Sequence, residues 1–168
     1  MMDPKLLPDR CLMDTGVLIR ALRQKQDPDT ADCADFFEAM VHAQKTILVA
    51  APTLAEVLRS KPETTVPPTR HVVVVPFDRR AAELLGEKMP WTDQQARAAE
   101  ASVSRSYIKF DAMIAACAKR WNASVIIALD GDHRTMAAAV GLASRAPGSY
   151  RQAQQDLLTA IDGGKAKA

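Results

Sequence analysis

The 168-residue sequence predicts an α/β fold, a three-layer α/β/α sandwich around a mostly parallel sheet. Three observations carry that class. Short apolar runs alternate with longer stretches of helical periodicity, and strands separated by helices pair in parallel through right-handed crossovers. Runs such as "HVVVVP" and "VIIAL" are apolar without alternation, as in strands covered on both faces. Hydrophobic residues make up 48% of a chain long enough to bury one sizeable core.

The elements follow in order. "RCLMD" is the first strand and ends at Asp14; "GVLIRALRQ" is a short helix after it. "DPDTADCADFFEAMVHAQ" is a longer helix, entered through Asp27-Pro28 with Asp29 or Thr30 as cap. "TILVA" is a buried strand. "APTLAEVLRS" begins a helix with Pro52 at its start and ends before Pro62. Residues 59–70, rich in proline and threonine, form a loop. "HVVVVPF" is the clearest strand, a β-branched run. Asp78 caps "RRAAELLGEKM", and an alanine-rich helix follows over residues 92–105, with Thr92 or Asp93 as cap. "YIKFDAMIAACAKR" is a helix with Met113, Ile114 and Cys117 at three- and four-residue spacing. "SVIIALD" is a strand, "HRTMAAAV" a helix, the region near Leu142 a weak last strand, and "YRQAQQDLLTAI" a closing helix. Residues 1–162 make one domain, and "GGKAKA", residues 163–168, a flexible tail.

The net charge of +2 and the lack of any block of like charge exclude a basic nucleic-acid tail, so such binding must come from local arrangement. Cys11, Cys33 and Cys117 are far apart and form no CxxC pair, as expected of reduced thiols in a cytoplasmic protein. They read as small core hydrophobes. No run approaches the roughly 18 apolar residues of a membrane helix.

Open parallel sheets bind ligands beyond the carboxyl ends of their strands, where strand order reverses. Two predicted strands end in an acid, at Asp14 and Asp130. Glu56 and Asp111 stand near the starts of helices. Each has a bland role as a turn residue, cap or first-turn acid. Together, two strand ends and two helix starts belong on one edge of the sheet. Four carboxylates there repel and are costly to desolvate unless a cation joins them. Oxygen-only ligands suit Mg²⁺ or Mn²⁺, and nothing in the histidines or cysteines argues for zinc.

The segments "MDTGVLIR", "APTLAEVLR", "FDAMIAACAKR" and "IIALDGDHRTMA" resemble the PIN-domain nucleases, and within them the bacterial toxins of the VapC type. The resemblance covers nearly the whole chain. It implies strand order 3-2-1-4-5, which sets Asp14 beside Asp130. It implies metal-dependent hydrolysis of RNA (tRNA, rRNA or mRNA), a cognate antitoxin protein and a homodimer. Alternatives are a PIN-fold RNA-processing nuclease without antitoxin, or a weakly catalytic RNA- or protein-binding module. Asp14, Glu56, Asp111 and Asp130 would hold Mg²⁺ or Mn²⁺, with Asp132 as an outer or second-metal ligand.

Thr15 would bond a ligand carboxylate or a phosphate oxygen, or simply cap its helix. Arg20, Arg59 and Arg134 would hold the RNA backbone, or serve as ordinary surface charges. Trp91 and Trp121 could stack bases, with burial favoured for Trp121. Two positions depart from the family pattern: Ala128 stands where a serine or threonine is common, and His133 where an aromatic is. His133 would contact RNA or pack at the rim of the site. The early helices, residues 16–25 and 29–43, would flank an antitoxin groove.

Overall fold

The computed structural model describes residues 2–23, 28–60, 66, 69–90, 105–129 and 132–165. The helix expected over residues 92–105 falls almost wholly outside them, and so do the Asp27 turn, Trp91 and Asp130. Five strands form one parallel sheet: β1 (Arg10–Met13), β2 (Thr46–Ala50), β3 (Val72–Val75), β4 (Val125–Ile127) and β5 (Ala143–Arg145). Their order is β3-β2-β1-β4-β5, the order the resemblance implies. Leu12 in β1 stands opposite Leu48 on one side and Ile126 on the other, so β1 is the central strand.

Side chains alternate across a strand, and the core divides accordingly. Leu12, Leu48 and Ile126 point into one layer, with α4 (Arg79–Lys88), α5 (Arg105–Arg120) and α6 (Asp132–Ala139). Cys11, Met13, Ile47, Val49 and Ile127 point into the other, against α1 (Thr15–Ala21), α2 (Pro28–His42) and α3 (Ala51–Ser60). Tyr150 of α7 (Gly148–Lys165) joins this second layer, tilted against Phe36 with ring centroids 5.0 Å apart. In α5, Ala112 and the unbroken run Ile114–Ala118 are buried. Apart from Ile114 these side chains are small, which lets that helix lie close on the sheet. All three cysteines are buried, and burial pushes the Cys11 and Cys117 thiols up to about 12.

Three helices end in the same way and feed the next strand. Gln44, Asn122 and Gly141 have φ of 57°, 55° and 70°. Each is followed by an N–H that donates five residues back: Lys45 to Met40 at 2.9 Å, Ala123 to Ala118 at 2.9 Å, Leu142 to Ala137 at 2.8 Å. This left-handed stop satisfies the last carbonyls and turns the chain sharply. At the opposite end of α4, Asp78 accepts from Ala81 N–H at 2.9 Å, as the predicted cap.

The structure corrects four expectations. β3 is not covered on both faces: it is an edge strand, and Val73 and Val74 stand 40% and 45% exposed. α2 begins at Pro28, so Asp29 and Thr30 lie within its first turn instead of capping it. Trp121 is half-buried, its indole N–H donating to Pro76 O at 3.0 Å and Arg120 lying 4.6 Å from its ring. α7 continues through Gly163 and Gly164 to Lys165, past the expected boundary at 162. Extending an established helix costs far less than starting one, even at glycine. No helix of the described residues is long and apolar enough to cross a membrane.

Candidate metal centre

The strand order dictates where ligands gather. From β1 the chain winds outward both ways, to β2 and β3 on one side and to β4 and β5 on the other, leaving a crevice beyond the carboxyl end of β1. Asp14 is the first residue past that end. Its N–H donates to Ile127 O of β4 at 2.9 Å, and its own carbonyl accepts from Leu18 N–H at 2.9 Å. Its backbone is extended, and its Oδ2 accepts from Gly16 N–H at 3.0 Å, capping α1. The backbone of Asp14 is thus held on both sides and its carboxylate by the Gly16 N–H, with Oδ1 turned toward His133. Only 6% of Asp14 is exposed.

Asp111 reaches the same place from α5. Six residues of helix precede it, so it is neither a cap nor a first-turn acid. Its neighbours at three and four residues on, Ile114 and Ala115, are fully buried against the sheet. Asp111 therefore projects from the sheet-facing side of α5. His133, the second residue of α6, closes the group: its Nε2 lies 3.0 Å from Asp14 Oδ1 and 3.4 Å from Asp111 Oδ1. His133 is 2% exposed, so it is a buried centre of the cluster and not a packing residue at its rim. The donor atoms of Asp14, Asp111 and His133 all lie within 4.8 Å of one another.

Beside them, Thr15 Oγ1 donates to Glu56 Oε2 at 2.5 Å. Glu56 sits in the second turn of α3 and is half-buried, too deep to offset the helix dipole in the first turn. Gly16 has a steric reason. A Cβ there would stand 3.3 Å from Asp14 Oδ2 and 3.4 Å from Arg20 Nη1. The Arg20 guanidinium folds back over the first turn of α1, where it donates to Gly16 O at 3.1 Å.

Of the residues singled out in sequence, Asp14, Asp111 and His133 meet directly, and Thr15 and Glu56 pair beside the first turn of α1. Arg20 lies at that same turn. Arg59 and Arg134 are exposed on α3 and α6, the helices that carry Glu56 and His133. Asp130 lies outside the described residues, and for Asp132 only its place at the start of α6 is described. Ala128 is buried at 3% exposure, on the α5 side of the sheet. What sequence reasoning missed was the centrality of His133. The signal was present, since it follows directly on "DGD" after the β4 run, near the carboxyl end of a strand beside β1. Treating the imidazole as a stand-in for an aromatic hid its nitrogens.

Asp14 and Asp111 each direct a carboxylate oxygen at His133 Nε2. Two oxygens and an imidazole nitrogen at this spacing form a donor set that suits a divalent cation. The residues present thus fit the metal that the carboxylate pattern predicts, although the observed set is not made of oxygen alone.

The sequence model of the PIN domain family matches residues 11–139. Among solved structures, the fold is similar to VapBC2 from Rickettsia felis bound to a DNA fragment from their promoter. That likeness has a TM-score of 0.53 and 12% identity, and covers 82% of this chain and 98% of that one. It is also similar to FitAcB from Neisseria gonorrhoeae, with a TM-score of 0.51 and 18% identity, over 82% of this chain and 97% of that one. No curated protein matches the chain in sequence. The family match spans well over half of the chain and includes Asp14, Glu56, Asp111 and His133: the chain belongs to the PIN domain family.

Proposed function

We propose that the protein is a divalent-metal-dependent endoribonuclease and the toxin of a VapC-type toxin–antitoxin pair. The observation that carries the nuclease reading is the convergence of Asp14 and Asp111, because no capping role accounts for an acid so far inside α5. Membership of a family whose members are generally nucleases supports it. Likeness to VapBC2 and FitAcB supports the antitoxin, and the three buried thiols fit a reducing cytoplasm. A homodimer belongs to the same proposal.

Asp14, Asp111 and Glu56 would hold Mg²⁺ or Mn²⁺, joined by Asp130 and Asp132. Such a cation, when bound, lowers the pKa of a water and offsets charge on the phosphate under attack. The protein does the positioning. The α1 cap aims Asp14, and Thr15 orients Glu56. Arg20, Arg59 and Arg134 would grip the RNA backbone through its phosphates. The expected products carry 5′-phosphate and 3′-hydroxyl ends.

The test is cleavage of a mixed tRNA and rRNA pool by purified protein with Mg²⁺ or Mn²⁺, beside EDTA and Asp111→Asn. Cutting that needs both the metal and Asp111 supports the nuclease; wild type as inert as the mutant, across the pool, refutes it. Co-expression with any small neighbouring open reading frame separates a toxin from an RNA-processing enzyme. Silencing of activity by a bound partner supports the toxin, and unaltered activity argues for RNA processing.

A further inference from the structure

We infer that His133 is a metal ligand, and that its Nε2 converts an all-oxygen site into a mixed nitrogen–oxygen one that prefers first-row transition cations to Mg²⁺. The inference rests on the metal-centre reading above and deepens it. Neighbouring ligands at right angles around a small divalent cation, with bonds of ~2.1 Å, stand ~3 Å apart. His133 Nε2 stands 3.0 Å and 3.4 Å from the two carboxylate oxygens. Those spacings match donors around one ion, and in the chain alone they are direct imidazole–carboxylate contacts.

The imidazole is also committed to this place. His133 is 2% exposed, on the first turn of α6, and its Nε2 is directed at Asp14 and Asp111 and away from solvent. A side chain that merely filled space here could be an apolar ring. A nitrogen placed between two acids adds a donor that Mg²⁺ takes poorly, because Mg²⁺ demands oxygen and keeps its waters. Imidazole suits softer ions, and affinity for a nitrogen–oxygen site rises along the series from Mn²⁺ through Co²⁺ and Ni²⁺.

The probe is Mn²⁺ added to metal-stripped full-length protein. Pulsed electron paramagnetic resonance reads nitrogen coupling to the bound ion, and titration against Mg²⁺ reads preference. Wild type should show a ¹⁴N coupling that disappears in His133→Phe, a variant that keeps a ring in the space. Losing this ligand should weaken Mn²⁺ binding by at least the about 10–100-fold that losing an outer-shell partner costs. The preference for Mn²⁺ over Mg²⁺ should shrink with it.

His133→Gln, checked by circular dichroism, guards against a phenylalanine variant that fails to fold, and the wild-type spectrum needs no variant. Bound Mn²⁺ without nitrogen coupling overturns the inference, as does a failure of Mn²⁺ to bind. Metal-dependent RNA cleavage in the first of those cases leaves the nuclease standing. Nitrogen coupling in a protein that cuts no RNA upholds the ligand and sinks the nuclease.

Discussion

Replacing Thr15 with valine keeps the shape of the side chain and removes one hydroxyl. The lost bond is the 2.5 Å contact to Glu56 Oε2. It is short because its acceptor is a carboxylate. Hydrogen bonds to charged groups contribute about 1.5–3 kcal/mol. Thr15 and Glu56 are both half-buried, which puts the loss near the lower end, about 1.5 kcal/mol, or roughly tenfold in an equilibrium constant. That loss should appear in metal binding, since Glu56 would then have to be ordered as the ion arrives. Calorimetric titration of Mn²⁺ into Thr15→Val should show about tenfold weaker binding. Thr15→Ser, which keeps the hydroxyl, should stay near wild type. The melting temperature of the metal-free protein should fall by only about 3–6 °C, because the cap of α1 belongs to Asp14 and survives the change. Binding by Thr15→Val as tight as wild type would show that the bond does not orient Glu56. Equal weakness in the serine variant would assign the effect to the methyl group.

Three more outcomes follow from burial and charge. Ile114→Ala empties a fully buried site between α5 and the sheet, and should cost about 2–5 kcal/mol, lowering the melting temperature by roughly 5–15 °C; a negligible shift would mean that α5 does not pack as described. Cys11, Cys33 and Cys117 are fully buried, and the first and last have thiols pushed up to about 12, so Ellman's reagent at pH 8 should label them quickly only after denaturation. Fast labelling of native protein would contradict that burial. Asp78 is held below its ordinary 3.8 by the Ala81 N–H first and by Arg120 after it. A carboxyl depressed in the folded chain contributes stability that is complete above its unfolded value and fades as pH falls through its folded one. Asp78→Asn should therefore flatten the acid limb of a melting-temperature profile; an unchanged limb would remove Asp78 from the account.

What was legible in the sequence follows physical signal strength. "TILVA" became β2 residue for residue, because a β-branched run ahead of a proline-led helix leaves little choice. Strand order was not legible in any such pattern; it came from the family resemblance, and the topology agrees with it. The exposure of β3 was hidden because an apolar run reads alike in a central strand and at an edge. The depth of Asp111 was hidden because "RSY" carries no stop signal, so α5 begins earlier than its apolar stripe suggests. Of the four acids, Asp14 and Asp111 meet at the carboxyl edge of the sheet, while Glu56 pairs with Thr15 and Asp130 lies outside the described residues. The four-acid pattern could not reveal that an imidazole meets two of those acids, since that depends on how α6 is laid against α5, two elements whose approach no local pattern encodes.

At Asp14 the bland and the functional roles are not rivals. One oxygen takes the Gly16 N–H and the other faces His133 and Asp111. The cap stabilises α1 and, by the same bond, fixes the carboxylate so that its other oxygen meets His133. Thr15, the next residue, does for Glu56 what the backbone of α1 does for Asp14. The placing of these two carboxylates is therefore a by-product of how β1 turns into α1. Asp111 differs in kind. It has no helix end to cap, and removing it would cost the helix nothing through capping. Its Oδ1 lies 3.4 Å from His133 Nε2, so its place is explained by the cluster it forms with His133 and Asp14 and not by any helix end.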